Sequence, residues 1–247
     1  MTKGEYAATI FPYRTLPKRD VLVCPVCRTP RQTVHPFLDR HGFVVGFCVC
    51  PECQLAYLAE VLTRDGYAQF YDGPYRALCR MNQEALVAWQ HTLGAQLAAK
   101  FPRLPHGGSI LDAGGSYGRL AGALQLAPSQ LTILDPAQAE LSAAPTGARQ
   151  IQGWLEDPIP GTYDGVLCLE TLDHVTAPID ALCHLRNACP TGWMLADYVC
   201  GSQVKIDHPL YWHERAWQQA LAGSGWTVTT TGTTTMYGSQ HRTFFCQ

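Results

Sequence analysis

The 247-residue sequence has no long apolar run and no large excess of one charge. No segment is apolar for long enough to span a bilayer, and the N-terminus has no apolar segment that fits a signal peptide. Lysine and arginine number 18 against 20 acidic residues, a formal net charge of −2. Without a cluster of lysine and arginine, nucleic acid is not the expected partner. We therefore expect a cytoplasmic protein with no membrane partner.

The composition predicts one globular α/β domain of ordinary size with a small additional module. Hydrophobic residues make up 47% of the chain, which is enough for a sizeable core. Eleven cysteines are present. Because a reducing compartment disfavours disulfides, these thiols are expected to be metal ligands or free buried side chains.

Four cysteines form two pairs near the N-terminus. Cys24 and Cys27 enclose Pro-Val, and Cys50 and Cys53 enclose Pro-Glu, with 22 residues between the pairs. Two such knuckles supply four thiolates to one tetrahedral Zn²⁺ ion, a closed site that is structural rather than catalytic. The alternative is two unrelated pairs of buried or redox-active thiols. Cys48 is expected to be a neighbour of the site, because its spacing suits a knuckle less well.

A glycine-rich turn organises the remainder of the chain. A short apolar run ends in Asp112, small residues follow at Gly114, Ser116 and Gly118, and an apolar helical pattern begins at Leu120. Strand, glycine turn and helix bring backbone N–H groups close to a ligand. The spacing fits neither the dinucleotide fingerprint nor the P-loop. A purely structural turn remains the alternative.

A second apolar run ends in Asp135, about twenty residues after the turn, where a carboxylate can accept hydrogen bonds from both hydroxyls of a ribose. Asp135 also has a second interpretation, as the N-cap of a helix over 137–143. The two roles are compatible.

The remaining periodicities predict further strands and helices of an α/β sheet. Helices are expected over 77–101, from Pro178 onward, and around 216–221. Strands are expected at 150–153, 163–170 and 193–199, with a final hairpin of 226–237 and 242–246.

The pattern Asp112-x-Gly114-x-Ser116-x-Gly118 resembles motif I of the class I S-adenosylmethionine (SAM) methyltransferases, with Ser116 in the place of the middle glycine. The two cysteine pairs, the aromatic segments at 55–58 and 70–76, and this motif together resemble bacterial members with an N-terminal zinc ribbon. Many of these enzymes modify sugars, surface polysaccharides or natural products.

The resemblance implies an α/β fold with a Rossmann-like seven-stranded class I methyltransferase sheet and a small N-terminal zinc ribbon. It implies a zinc-ribbon module at 1–75, a linking helix at 76–106 and a SAM-binding catalytic domain at 107–247. The implied cofactors are SAM and a structural Zn²⁺ held by Cys24, Cys27, Cys50 and Cys53.

The residues expected to bind SAM follow from the matching motifs and from the rule that ligands bind at the carboxyl ends of parallel strands. Trp154 and Leu155 match the family's adenine loop, although its usual aspartate is absent. Glu156 would replace that contact, or the contact is made by the main chain alone. The expected set is Asp112, Gly114, Gly115, Ser116, Gly118, Asp135, Trp154, Leu155, Leu169 and Glu170.

Three histidines are candidates for a catalytic base, which methyl transfer needs only when the acceptor is a hydroxyl or an acidic carbon. His208 is the first choice, followed by His213 and His174. The alternatives are that His174 only holds its loop and that His208 and His213 are surface residues near a helix start.

The sequence thus predicts a SAM-dependent methyltransferase that acts on a small-molecule acceptor, namely a sugar, a nucleotide-sugar or a natural-product intermediate. Alternatives are an RNA or protein methyltransferase and a non-catalytic SAM-binding scaffold protein. The acceptor and the oligomeric state stay open.

Overall fold

The computed structural model describes residues 3–79, 83–102, 107–201, 204–236 and 239–247. The N-terminal part consists of short strands and two helices around the cysteine pairs. In chain order these are α1 (Lys3–Ile10), β1 (Lys18–Asp20), β2 (His35–Leu38), β3 (Val44–Val49), β4 (Ala56–Leu58), β5 (Glu60–Leu62) and α2 (Arg64–Tyr71).

The C-terminal part alternates strands and helices, as a parallel sheet requires. Two helices, α3 (Tyr75–Cys79) and α4 (Gln83–Lys100), lead into it. The following elements are β6 (Ile110–Ala113), α5 (Arg119–Ala123), β7 (Leu131–Asp135), α6 (Gln138–Leu141), β8 (Arg149–Gln152), β9 (Gly165–Cys168), α7 (Pro178–Ala188), β10 (Trp193–Cys200), β11 (Leu210–Tyr211), α8 (Glu214–Gly223), β12 (Val228–Met236) and β13 (Ser239–Cys246).

The large sheet has seven strands in the order β12-β13-β10-β9-β6-β7-β8, and β13 runs antiparallel to both of its neighbours. Its central strands are buried on both faces: Leu111, Val166 and Leu195 are fully buried. This confirms the predicted Rossmann-like sheet. The carboxyl ends of β6, β7 and β9 meet at one edge, where a ligand is expected.

The N-terminal sheet is completed by the C-terminal part of the chain. Its order is β11-β4-β3-β2, and Leu210 of β11 lies opposite Tyr57 of β4. Sequence periodicity did not reveal this pairing because β11 is only two residues long.

Some element boundaries differ from the expectations. The helix expected over 77–101 corresponds to α3 and α4, and residues 80–82 between them lie outside the described part. The helix expected over 137–143 is the single turn α6, whose N-cap is Ala137 rather than Asp135. Gly238, in the expected hairpin turn, is also outside the described residues. None of the helices in the described part is long and apolar enough to cross a membrane.

Helix α4 lies against α5 through a glycine. A Cβ on Gly94 would lie 2.3 Å from the Cβ of Ala123 and 3.2 Å from the carbonyl oxygen of Leu120. The close approach of α4 and α5 therefore depends on the missing side chain at Gly94, and this helix pair lies next to the glycine turn.

We expect Gly94→Ala to destabilise the protein although alanine favours helix. The helix preference gains about 1 kcal/mol, whereas overpacking costs about 1–3 kcal/mol. The matched control is Gly122→Ala in α5, where a Cβ would meet no atom within 4 Å; this variant should be neutral or slightly stabilised. Urea unfolding of both variants tests the contrast, and equal shifts would contradict the packing account.

Candidate functional site

A cavity of about 280 Å³ opens at the carboxyl ends of β6, β7 and β9. Its floor is the large sheet, its roof comes from α2, α3 and α4, and Arg40 of the N-terminal module reaches its wall. Of the residues predicted from the sequence, eleven line it: Asp112, Gly114, Gly115, Ser116, Asp135, Trp154, Leu155, Leu169, Glu170, His174 and His208. The described lining includes neither Gly118 nor His213.

The glycine turn forms the first wall of this cavity. Gly114 adopts φ +72°, and a Cβ there would lie 2.5 Å from the Thr171 side chain. Gly118 adopts φ +65° and is the N-cap of α5, and a Cβ there would meet Ile133 at 2.3 Å. Gly118 therefore lets the helix start against β7 and does not contact the cavity.

Ser116, at the position where the motif that it resembles has a glycine, adopts a left-handed backbone with φ +53°. Its N–H donates to Oδ2 of Asp135 at 3.0 Å, and its hydroxyl donates to Glu140 and accepts from the Arg76 guanidinium at 3.2 Å. Arg76 in turn pairs with Glu140. The sequence did not predict Glu140 as a site residue, because its position in α6 carries no motif.

Two buried carboxylates lie beside the turn. Burial and the Asp135 charge raise the pKa of Asp112 to about 7. Burial and the Glu140 charge raise the pKa of Asp135 to about 7, against hydrogen bonds from the Ala137 and Ser116 N–H groups. Oδ2 of Asp112 is buried and has no hydrogen-bond partner among the described residues. Buried carboxylates with unused acceptor capacity fit a cationic ligand.

The loop after β8 forms the opposite wall. The Gly153 N–H donates to the carbonyl oxygen of Asp135 at 3.1 Å, and Trp154 and Leu155 face the cavity. Glu156 also lines it, but its carboxylate accepts from the Thr176 N–H at 2.9 Å. The Glu156 side chain is therefore held by the loop after β9, which favours main-chain over side-chain recognition of a ring there.

Glu170, directly after β9, is fixed by the neighbouring strands. It adopts φ +55°, and its N–H donates to Oδ1 of Asp197 at 2.7 Å. Its carboxylate pairs with Nδ1 of His241, which also lies 3.2 Å from Oδ2 of Asp197. Although burial opposes it, these two carboxylates raise the pKa of His241 to about 10, so the imidazole is charged at neutral pH. Sequence analysis missed Asp197 and His241.

The three predicted histidines have different positions. Nδ1 of His174 and the Tyr71 hydroxyl form a hydrogen bond of 3.1 Å. Burial, together with the nearby His208 charge, lowers the pKa of His174 to about 3. The His208 ring lies against His174 with centroids 4.1 Å apart and planes tilted by 49°, and its Nδ1 pairs with Asp173. His213 is exposed, and its Nδ1 accepts from the Arg215 N–H as the N-cap of α8.

The four predicted cysteines converge in the N-terminal module. Sγ of Cys24 lies 3.5 Å from Sγ of Cys53, and Cys27 lies 3.3 Å from Cys50. All four sulfur atoms are within 4.8 Å of one another, and Cys48 is not among them. A zinc tetrahedron with bonds of about 2.3 Å has edges of about 3.8 Å, which this cluster fits closely.

Both knuckles share one turn geometry. The N–H groups of Arg28 and Gln54 donate to the carbonyl oxygens of Cys24 and Cys50 at 3.0 and 2.9 Å. Arg28 and Gln54 both have positive φ, 64° and 66°. Because both pairs share the same strained turn, the four thiols form a preorganised ligand site rather than a chance approach of cysteines.

Comparison with known proteins agrees with this geometry. A family model described as a methyltransferase domain matches residues 88–231. The magnesium protoporphyrin IX methyltransferase of Synechocystis PCC 6803, with bound SAH, superposes with a TM-score of 0.58 at 16% identity, over 74% of this chain and 99% of that chain. A search of curated protein sequences gives no match.

A second similar structure is the 1,6-didemethyltoxoflavin-N1-methyltransferase of Burkholderia thailandensis with bound 1,6-didemethyltoxoflavin and S-adenosylhomocysteine. Its TM-score is 0.56 at 14% identity, over 87% of this chain and 98% of that chain. These likenesses establish the fold, and the family model covers more than half of the chain. The protein therefore belongs to the family of this methyltransferase domain, and its fold is that of the class I SAM-dependent methyltransferases.

Proposed function

We propose that this chain transfers the methyl group of SAM to a small-molecule acceptor within the cavity described above. One observation carries the proposal. The cavity is continuous from the glycine turn and the two buried carboxylates to the imidazoles of His174 and His208. A roof of helices and a wall from the N-terminal module confine it, which favours a small acceptor over a macromolecule.

The residues present fit SAM in a definite orientation. The glycine turn at Gly114 and Ser116 would receive the amino-acid end, and Asp135 would hold the ribose hydroxyls. Trp154 and Leu155 would lie against the adenine ring. SAM supplies a methyl group on a positively charged sulfur that leaves readily, so the protein's contribution is to orient the acceptor and exclude water.

The acceptor end of the cavity contains the groups for acid–base chemistry. The partly buried His208 pairs with the buried Asp173, the arrangement that orients an imidazole for proton transfer. Burial opposes ionisation of Asp173, yet the imidazolium that His208 forms on taking a proton favours the charged carboxylate and holds the pKa of Asp173 well below its usual value. We assign His208 as the base for a hydroxyl or acidic-carbon acceptor, with His174 beside it. The capping contact of His213 supports a structural role for that residue.

The solved relatives support a small acceptor. One is named for magnesium protoporphyrin IX and the other contains 1,6-didemethyltoxoflavin. A sugar, nucleotide-sugar or natural-product intermediate is the acceptor class that we propose here.

We further propose that Cys24, Cys27, Cys50 and Cys53 hold one structural Zn²⁺. Four thiolates leave no open coordination position, so the ion would stabilise the short strands of the module without entering the chemistry.

Asp135→Asn is expected to weaken SAM binding at least tenfold, because the amide is a poorer acceptor for two ribose hydroxyls. Isothermal titration calorimetry with SAM measures this change. The control is Asp180→Asn on the exposed side of α7, which should bind normally. SAM affinity within twofold of the unmodified chain in Asp135→Asn would contradict the assignment, and circular dichroism checks that both variants are folded.

The pH dependence follows from the raised pKa of Asp112 and Asp135, both about 7. Without ligand, the folded state holds protons that the unfolded chain has released, so stability decreases as pH rises through about 7. Cationic SAM favours the ionised carboxylates. Its affinity should therefore rise roughly tenfold between pH 5.5 and 7.5. Calorimetry across this range tests the slope, and Asp112→Asn should make it shallower, because Asp135 still titrates; an unchanged slope would refute the role of Asp112.

Elemental analysis should find one zinc per chain. Cys24→Ser should lose the metal and lower the melting temperature, because the module has too small a core to be stable alone. Cys48→Ser is the matched control: its buried thiol lies outside the cluster, so the variant should retain one zinc. Equal zinc loss in both variants, or none in either, would overturn the ligand assignment.

A further inference from the structure

The segment that carries His208 is anchored mainly to the N-terminal module. We propose that this module forms one wall of the acceptor site and holds the loop that carries His208. In this proposal His41 positions His208 by holding the buried carboxylate of Asp207. The segment 204–211 is called the acceptor loop below. The inference rests on the proposed function, because it assigns the acceptor end of the same cavity.

The backbone of the acceptor loop extends the sheet of the N-terminal module. Leu210 and Tyr211 pair with Tyr57 and Ala56, and the Leu58 N–H donates to the carbonyl oxygen of Pro209 at 2.9 Å. His208 is therefore next to a residue that is hydrogen-bonded to the module. A sheet ladder fixes the path of a loop more firmly than isolated side-chain contacts do.

One buried carboxylate joins the turn between β2 and β3 to the same loop. Oδ1 of Asp39 accepts from the N–H groups of His41 and Phe43, both at 2.9 Å. Its Oδ2 accepts from the Ile206 N–H at 3.3 Å. The turn that presents His41 and the loop that presents His208 are thus held by the same side chain.

Asp207 is the central group of the contact. Its side chain is fully buried and lies 2.8 Å from Nε2 of His41 and 3.0 Å from the Arg40 guanidinium. Nε2 of His208 lies 3.5 Å from the same carboxylate. A buried carboxylate needs such partners, and removal of one leaves a poorly compensated charge.

The apolar side chains of the loop agree with this attachment. Val204 and Ile206 are buried in a cluster with Phe43 and Leu58 of the module. On the side of the large sheet, the loop is held at Asp173, through the contact of its carboxylate with Nδ1 of His208 and a hydrogen bond from the Leu210 N–H to its carbonyl oxygen at 3.3 Å.

His208 is therefore fixed from two directions, by Asp173 from the catalytic sheet and by Asp207 from the interface. The described lining of the cavity includes His208 and Arg40 but not His41. His41 would act through Asp207 without touching the acceptor, so it is a positioning residue.

The test compares His41→Leu with His41→Gln in the full zinc-loaded chain. Leucine removes the hydrogen bond to Asp207, whereas the terminal amide of glutamine can still donate one. Hydrogen–deuterium exchange should rise at least tenfold across residues 204–211 in His41→Leu and return to within threefold of the unmodified chain in His41→Gln. Carbethoxylation of His208 by diethyl pyrocarbonate, followed by mass spectrometry, should accelerate in parallel. His35→Leu, an exposed module histidine, is the control and should change neither readout.

SAM binding separates this inference from the proposed function. We expect the SAM affinity of His41→Leu to stay within twofold, because the glycine turn does not contact the loop's anchors. Acceptor-loop exchange within twofold of the unmodified chain, or equal loosening of residues 112–118, would overturn the inference. An unmodified chain that fails to bind SAM would overturn the proposed function instead. If His41→Leu does not fold, Arg40→Met removes the other contact of the module with Asp207, and hydrogen–deuterium exchange in the loop is expected to rise at least threefold; a smaller rise would overturn the inference.

Discussion

The site depends on the Asp135 carboxylate, which accepts hydrogen bonds from the backbone N–H groups of Ser116 and Ala137. It joins the turn after β6 to the start of α6, so the ends of two neighbouring parallel strands are held at a fixed separation. Because a carboxylate has more acceptor positions than these two bonds use, Asp135 can bind a ligand while it maintains the turn. The cavity forms where this contact keeps the strand ends open.

Two parts of the chain form the walls of this cavity. The large sheet supplies the glycine turn and the buried carboxylates, which suit the methyl donor. The N-terminal module supplies Arg40 and the anchors of the segment bearing His208. A metal held by the proposed four-cysteine site would stabilise the surface on which the segment bearing His208 rests, without offering a coordination position to a substrate.

Local motifs predicted much of the cavity wall around the glycine turn and little of the wall around His208. Asp112, Gly114 and Asp135 line the cavity as expected, because each lies at the end of a buried strand at a spacing set by strand, turn and helix geometry. His213 was placed with His208 on proximity in sequence, but the start of α8 uses it as a cap. No sequence motif identified Glu140, because its partner Arg76 lies 64 residues earlier in the chain and their ion pair forms only in the folded protein.

The sequence by itself determined the parallel sheet, the glycine turn and the paired cysteines, because each arises from residues within one strand, turn or knuckle. Only the tertiary structure decided which polar groups meet. His41 and Asp207 are 166 residues apart, and their contact forms because a two-residue strand completes the sheet of a distant module. Such contacts follow from how whole elements pack, and no local pattern of hydrophobic or charged residues records them.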